Sequence, residues 1–240
     1  MTTLESCSIG SCKLGSVPRA VAIIDGPLAL DKIKAIEESG ADMLELRVDC
    51  FEDGIDDVCD YIAAVRRICS LPLIGTIREN ARTRDDRPRL FEKVIPLVDA
   101  VDVEIDAAIT PAIIAMAAGK TVIVSEHDFE RTPDSAELEA IARRAAALGG
   151  HIVKIAAMAR GREDVVRLLE FTHQCALPIV SFSMGKYGTI SRVMSMLFGS
   201  LFSYGYVAKA NAPGQLPISK LVEELRMYYP EVLPRSPDRG

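Results

Sequence analysis

The chain reads as a (β/α)8 barrel, and three observations predict that fold. Eight short β-rich runs alternate with eight amphipathic stretches over 240 residues, which is the pattern of repeated strand–helix units. Hydrophobic residues make up 49% of the chain while aromatics supply only 5% and Trp is absent, as suits a parallel Ala/Ile/Leu/Val sheet buried under helices. No Pro/Gly/Ser-rich linker or charge block divides the sequence, so one domain over residues 1–240 is expected. The alternative, a doubly wound open sheet, usually carries a Gly-rich dinucleotide loop after its first strand. Here the first run ends in Asp25-Gly26-Pro27-Leu28, which is not such a loop.

The strand candidates, in order, are 19–24, 43–48, 72–77, 100–105, 120–125, 151–156, 178–183 and 203–208. Each is rich in β-branched and apolar residues. Helix candidates fall between them near 28–39, 55–69, 86–96, 108–118, 134–148, 162–174 and 189–199, with a last one at 218–228. Start signals support several, among them Thr110-Pro111 before Ala112 and Thr132-Pro133-Asp134 before Ala136. Residues 1–17 precede the first unit and carry Gly10 and Gly15, so a hairpin closing the barrel bottom is expected there.

A net charge of -6 argues against nucleic-acid binding. No apolar run is long enough to span a bilayer, and the first residues lack the basic and apolar regions of a signal peptide, so a cytoplasmic location is expected. The six cysteines form no CxxC pair or His-spaced set, so no metal or other cofactor is expected and free thiols are the default, Cys7 and Cys12 included.

Lys154 stands in the apolar run His151-Ile152-Val153-Lys154-Ile155-Ala156-Ala157-Met158. Burial disfavours the ammonium, and a neutral amine is a nucleophile toward ketones, giving a Schiff base. The competing explanation is a lysine paired with a carboxylate or with its head in water. Taken alone, the run favours that explanation; the polar residues at the other strand ends reverse the balance. Glu45 and Arg47 share one face at the end of the second strand, Arg78 follows the third, His127 the fifth, Met184 ends the seventh and Gln215 follows the eighth. Reacting groups of (β/α)8 barrels sit at such ends. His151 and His173 read as structural, and Glu104, alternating with Asp102 and Asp106, as barrel lining that could neighbour Lys154.

The strings Glu45-Leu46-Arg47-Val48-Asp49, Thr76-Ile77-Arg78, Asp102-Val103-Glu104-Ile105, Ser125-Glu126-His127-Asp128-Phe129, Ile152-Val153-Lys154-Ile155-Ala156, Met184 through Arg192 and Ala212-Pro213-Gly214-Gln215 together resemble type I 3-dehydroquinate dehydratase. That family is a Schiff-base (β/α)8 lyase of the shikimate pathway, and the resemblance runs from about Val21 to Ile218. It implies that Lys154 condenses with the ketone of 3-dehydroquinate. His127 then removes the adjacent proton and returns it to the departing β-hydroxyl, a syn elimination that yields 3-dehydroshikimate. It further implies that Arg192, after a glycine-bearing loop and near a helix N-terminus, clamps the carboxylate. Glu45, Arg47, Arg78, Gln215, Met184 and Asn211 would contact the ring, with an internal salt-bridge network as the other explanation for the charged members. A homodimer is expected.

Two departures from the family pattern stand out. Arg82 occupies the place of a glutamate that orients the histidine, and Asn211 that of a serine. The first puts the tautomer of His127 in question; the second alters the loop over the substrate. A class I aldolase-like Schiff-base enzyme and a non-catalytic homologue that binds a shikimate-like ligand are the alternatives, to be separated by turnover on dehydroquinate against sugar phosphates.

Overall fold

The structure, a computed structural model, describes residues 7–230. Eight parallel strands form the wall: β3 (Arg19–Ile24), β4 (Met43–Arg47), β5 (Leu73–Thr76), β6 (Ala100–Glu104), β7 (Thr121–Asp128), β8 (Ile152–Met158), β9 (Ile179–Met184) and β10 (Phe202–Tyr206). They run in the order β10-β3-β4-β5-β6-β7-β8-β9, so chain neighbours are sheet neighbours. The ends meet at a sparse seam, where β9 and β10 form no ladder among the described residues. Instead Leu201 N–H donates to Ile179 O at 2.9 Å and Ser181 N–H to Ser200 Oγ at 3.0 Å. The two-residue strand β11 (Leu216–Pro217) extends the C-terminal end of β10 in parallel.

The eight strand candidates lie within two residues of the observed ones at either end, apart from the fifth, which runs on three residues to Asp128. Short, nearly continuous apolar runs, as suit strands of a buried parallel sheet, explain the agreement. Along β4, Leu44 and Leu46 pack outward against the helices while Met43 joins the barrel interior. Outward residues of β3 to β9 enter one layer with α1 (Leu30–Ser39), α2 (Ile55–Ile68), α3 (Arg87–Val94), α4 (Thr110–Met116), α5 (Ser135–Ala147), α6 (Arg162–Gln174) and α8 (Ile218–Tyr228). Asp134 caps α5 in a full capping box with Glu137, which confirms that start signal. The helix expected near 189–199 is shorter: α7 covers only Ser191–Met194 and tightens into a 3-10 turn, Ser195–Phe198, that Gly199 ends at φ 106°.

Inward residues change character along the barrel axis. Toward the strand starts lie Val21, Met43, Ile74, Ala100, Ile123, Ile152, Val180 and Phe202, an apolar plug. Two residues on, the same faces carry Glu45, Thr76, Asp102, Ser125 and Lys154, and then Arg47, Arg78, Glu104 and His127. The floor is sealed by the hairpin β1 (Ser8–Ile9) and β2 (Cys12–Lys13). Its Ile9 and Leu14 join the apolar plug, and Thr121 Oγ1 donates to Ser8 O at 2.8 Å. The expected hairpin is therefore present, and residues 1–6 of that expectation lie outside the described residues. Cys7 and Cys12 are free thiols. No helix of the described residues is long and apolar enough to cross a membrane.

Candidate active site

The barrel mouth encloses a cavity of about 380 Å³ lined by Glu45, Arg47, Arg78, His127, Lys154, Met184, Arg192, Asn211 and Gln215, with Glu79, Glu104, Phe129, Phe182 and Tyr204 among the others. All nine site residues expected from the sequence thus share one cavity. The register of parallel strands achieves this, since each contributes its inward position near the C-terminal end.

Lys154 is 4% exposed, and its nitrogen is not bare. Nζ donates to Asp102 Oδ2 at 2.7 Å, lies 3.7 Å from Glu45 Oε1, and sits 4.1 Å from the centre of the Tyr204 ring. The structure bears out the carboxylate-pairing explanation for this lysine, in a buried setting. Two carboxylates and a ring face thus surround the buried nitrogen. The partner is Asp102, not the Glu104 singled out from the sequence. Asp102 is fully buried and also accepts from Arg78 Nη2 at 2.7 Å and Ser125 Oγ at 2.6 Å. Burial alone would raise its carboxyl, but Arg78 and Lys154 hold it far below the usual carboxylate range. Glu104 turns to the buried Arg87 and to Arg78 Nη1, the latter at 3.2 Å.

Arg78 is thus tied to Asp102, Glu104 and Ser125, the last accepting from Nη1 at 3.0 Å. Much of its role is to neutralise the mouth, as the salt-bridge explanation foresaw. Glu45 is 3% exposed and accepts from Thr76 Oγ1 at 2.7 Å. Arg47 is held bidentately by Asp49, from Nε at 3.0 Å and Nη2 at 2.6 Å.

His127 stacks on the exposed Phe129 ring, with centroids 6.2 Å apart and planes 16° from parallel. Burial, then the charges of Arg78 and Lys154, push its imidazole well below the ordinary histidine value. It is neutral near pH 7 and ready to accept a proton. Arg82, which stands in the family's glutamate position, is not part of the cavity wall; its guanidinium is turned to the carbonyls of Val48 and Asp49.

Arg192 is 1% exposed, yet among the described residues no carboxylate pairs with it. Its guanidinium lies 4.6 Å from the Phe182 ring centre, Nη2 donates weakly to Pro213 O at 3.5 Å, and Nε has no partner. Burial brings its pKa down to about 10. Because α7 has only four residues, the helix dipole expected to assist here is slight, and burial and charge define the spot instead.

Two loops meet over the mouth. Gly185 N–H donates to Pro213 O at 3.1 Å, and Gly214, at φ 76°, sits so close that a Cβ would fall 2.6 Å from Gly185 O. At Gly188 a Cβ would fall 2.4 Å from the Ser183 carbonyl, so only glycine fits. Asn211 bridges this lid to the barrel through Nδ2 to Asp25 Oδ2 at 3.1 Å, while its backbone N–H donates to Gln215 Oε1 at 2.8 Å. Its Oδ1 has no partner. A serine could not span the same gap while presenting a second polar atom. Met184 is 1% exposed and packs beside the cavity. His151 accepts from Val122 N–H through Nδ1 at 3.0 Å, and His173 packs edge-on to Phe198, so both are structural.

Sequence reasoning missed Asp102, Tyr204 and Phe182 as neighbours of the cations. The alternation Asp102-Val103-Glu104 was a usable signal for the first; the aromatic faces left none. Among the described residues no group of three His, Cys, Asp or Glu side chains could hold a metal ion.

The model of the family "Type I 3-dehydroquinase" matches residues 23–231. The 3-dehydroquinate dehydratase of Methanococcoides burtonii is 35% identical over 232 residues, covering 91% of this chain and 98% of that protein. The crystal structure of 3-dehydroquinate dehydratase from Geobacillus kaustophilus superposes with a TM-score of 0.84 at 26% identity, covering 97% of this chain and 98% of that one. That of the type I enzyme from Clostridium difficile, with covalently modified comenic acid, gives 0.83 at 28% identity, covering 95% and 99%. Matching its neighbours in fold and the family over nearly its whole length, this chain belongs to the type I 3-dehydroquinase family.

Proposed function

We propose that this chain dehydrates 3-dehydroquinate to 3-dehydroshikimate through an imine on Lys154. The observation that carries the proposal is the sharing of one cavity by Lys154, His127 and the buried, carboxylate-free Arg192. The substrate's carboxylate supplies the anion that Arg192 lacks, which fixes the ring against the lysine. The deprotonated Nζ adds to the ketone carbon, water leaves, and a cationic iminium forms between the Asp102 and Glu45 carboxylates and the Tyr204 ring. His127 takes the proton from the adjacent carbon, and the electron pair moves to the nitrogen as an enamine. The enamine expels the β-hydroxyl, which leaves as water with the proton from His127, and hydrolysis of the imine frees Lys154. Glu45, Arg47, Arg78, Gln215, Met184 and Asn211 bound and orient the ring. No step asks for a metal or cofactor.

Borohydride reduction in the presence of 3-dehydroquinate, followed by peptide mass spectrometry, tests this. The expected result is one adduct, on Lys154, with turnover on 3-dehydroquinate and none on sugar phosphates. An adduct on Lys186 or Lys209 instead refutes the assignment, and turnover on sugar phosphates would favour an aldolase.

We also infer a cytoplasmic homodimer. A cleft of about 750 Å³ lies outside the barrel among α6, α7 and α8 and is bordered by the exposed Val166, Ile190 and Tyr228. Its rim carries both Arg162 and Lys186 and the acidic Glu224, so a two-fold pairing sets opposite charges against each other. Light scattering showing a monomer at micromolar concentration would refute this assembly.

A further inference from the structure

The charged loop between Arg78 and Arg87 is folded into a compact knot rather than spread into solvent. Thr83, 2% exposed, donates from Oγ1 to Arg78 O at 2.8 Å and accepts from Asn80 N–H at 3.0 Å. Asn80 Oδ1 accepts from the backbone N–H groups of Arg82 at 2.8 Å and Thr83 at 3.0 Å. The knot is fastened to another part of the mouth chiefly at the carbonyl oxygen of Asp49. That oxygen takes Asn80 Nδ2 at 3.0 Å and Arg82 Nη2 at 2.9 Å, and Arg82 also reaches Val48 O at 3.4 Å. Asp49 is 7% exposed, and its carboxylate holds Arg47 through two hydrogen bonds. A continuous chain of polar contacts thus runs from the Arg82 guanidinium through Asp49 to the Arg47 guanidinium on the cavity wall.

We propose that Arg82 is a positioning residue: by gripping the Asp49 carbonyl it fixes the Asp49 carboxylate, and so the Arg47 fork, at the geometry that binds substrate. Val48, Asp49 and Cys50 form a single 3-10 turn after β4, and a turn of three residues has little rigidity of its own. The arginine contributes two things a shorter residue lacks, reach across the gap and a charged donor for a carbonyl that already has one amide donor. The position therefore acts on substrate affinity, through Arg47, and not on the imidazole of His127. By the same geometry a glutamate at this position would not improve the enzyme, since it would set a carboxylate against the carbonyl oxygens of Val48 and Asp49.

This inference rests on the proposed dehydratase activity, and the experiment separates the two. Steady-state kinetics on 3-dehydroquinate are measured for wild type, Arg82→Ala, Arg82→Gln and Arg82→Glu, with thermal melting of each. Arg82→Ala is expected to raise KM about tenfold, the lower end of what a lost charge-assisted hydrogen bond brings, with kcat within about twofold of wild type. Arg82→Gln, which keeps an N–H donor, should raise KM by about threefold, and it decides the matter should Arg82→Ala not fold. Arg82→Glu should raise KM at least as far as Arg82→Ala with no gain in kcat. Borohydride trapping on Lys154 at saturating substrate stays at the wild-type level throughout. A purely structural role would lower melting temperature and leave KM of the folded enzyme unchanged. An unmoved KM, a fall in kcat alone, or a faster Arg82→Glu enzyme overturns the positioning role while wild-type turnover stands. A wild-type chain without turnover on 3-dehydroquinate overturns the activity itself.

Discussion

Replacing Arg192 by methionine should make the protein more stable and nearly inactive. Burial brings the Arg192 pKa down to about 10 with no carboxylate to compensate. At about 1.4 kcal/mol per pH unit, the gap from the ordinary arginine value corresponds to roughly 3 kcal/mol of desolvation. Because the folded value lies below the unfolded one, the penalty is fully present below about pH 10 and is relieved only as pH rises toward the unfolded value. Against it stands the contact with the Phe182 ring, about 1 kcal/mol. Arg192→Met removes the charge, keeps an apolar stem of adaptable shape, and so should gain about 2 kcal/mol, or roughly 4–8 °C in melting temperature for a chain of this size. The same change leaves the substrate carboxylate unpaired, at about 2–5 kcal/mol, which lowers kcat/KM by roughly 30-fold to several thousand-fold. Thermal unfolding followed by circular dichroism and steady-state kinetics read both quantities. A variant that melts below wild type, or that keeps wild-type kcat/KM, refutes the reasoning.

Other perturbations separate the remaining roles. His127→Ala should lose about 10²–10⁴-fold in kcat while borohydride still traps substrate on Lys154; loss of trapping with turnover, or near-normal turnover, would count against a role confined to proton transfer. The acid limb of the kcat/KM profile should lie below pH 6.5, because the buried imidazole stays neutral to lower pH than a free one; a limb at or above 6.5 contradicts that. Asp102→Asn leaves Lys154 and Arg78 without their shared carboxylate and should cost about 3–5 kcal/mol in urea unfolding; a loss under about 1 kcal/mol would mean that Glu45 and Glu104 suffice.

The barrel was legible in the sequence because each strand is a short, nearly continuous run of β-branched and apolar residues, and because Pro and Gly mark the turns. The site was legible because a strand-end residue such as His127 or Arg78 can only face inward or outward. Depth was not legible. Lys154 and Asp102 lie on strands two apart; the ladders put Glu104, through Ser125, in register with Lys154, and only the three-dimensional course of the side chain takes Nζ to Asp102 instead. Strand β11 escaped notice because two residues, one of them proline, carry no periodic signal. The helix near 189–199 was overestimated because tertiary constraints at Gly188 and Gly199 override an apolar stretch that otherwise reads as helical. Most of all, a sequence shows which charges are present but not which lack a partner, so the orphan state of Arg192 and the reach of Arg82 across 33 residues to Asp49 appear only in three dimensions.

The seam between β9 and β10 gives the barrel the mechanics of a bracelet with a clasp. Every other junction is a full ladder, whereas this one is held by the Leu201–Ile179 bond, the Ser200 hydroxyl and, above them, the two loops joined at Gly185 and Pro213. Arg192 lies in α7, directly after the Gly185 loop, and bonds Pro213. An anion that locks Arg192 therefore fastens the clasp, and the ring should breathe there when empty. In amide exchange, Leu201 and Ser181 should be the first wall amides to exchange in the free protein and the ones most slowed by a bound carboxylate, with β4 to β7 barely altered.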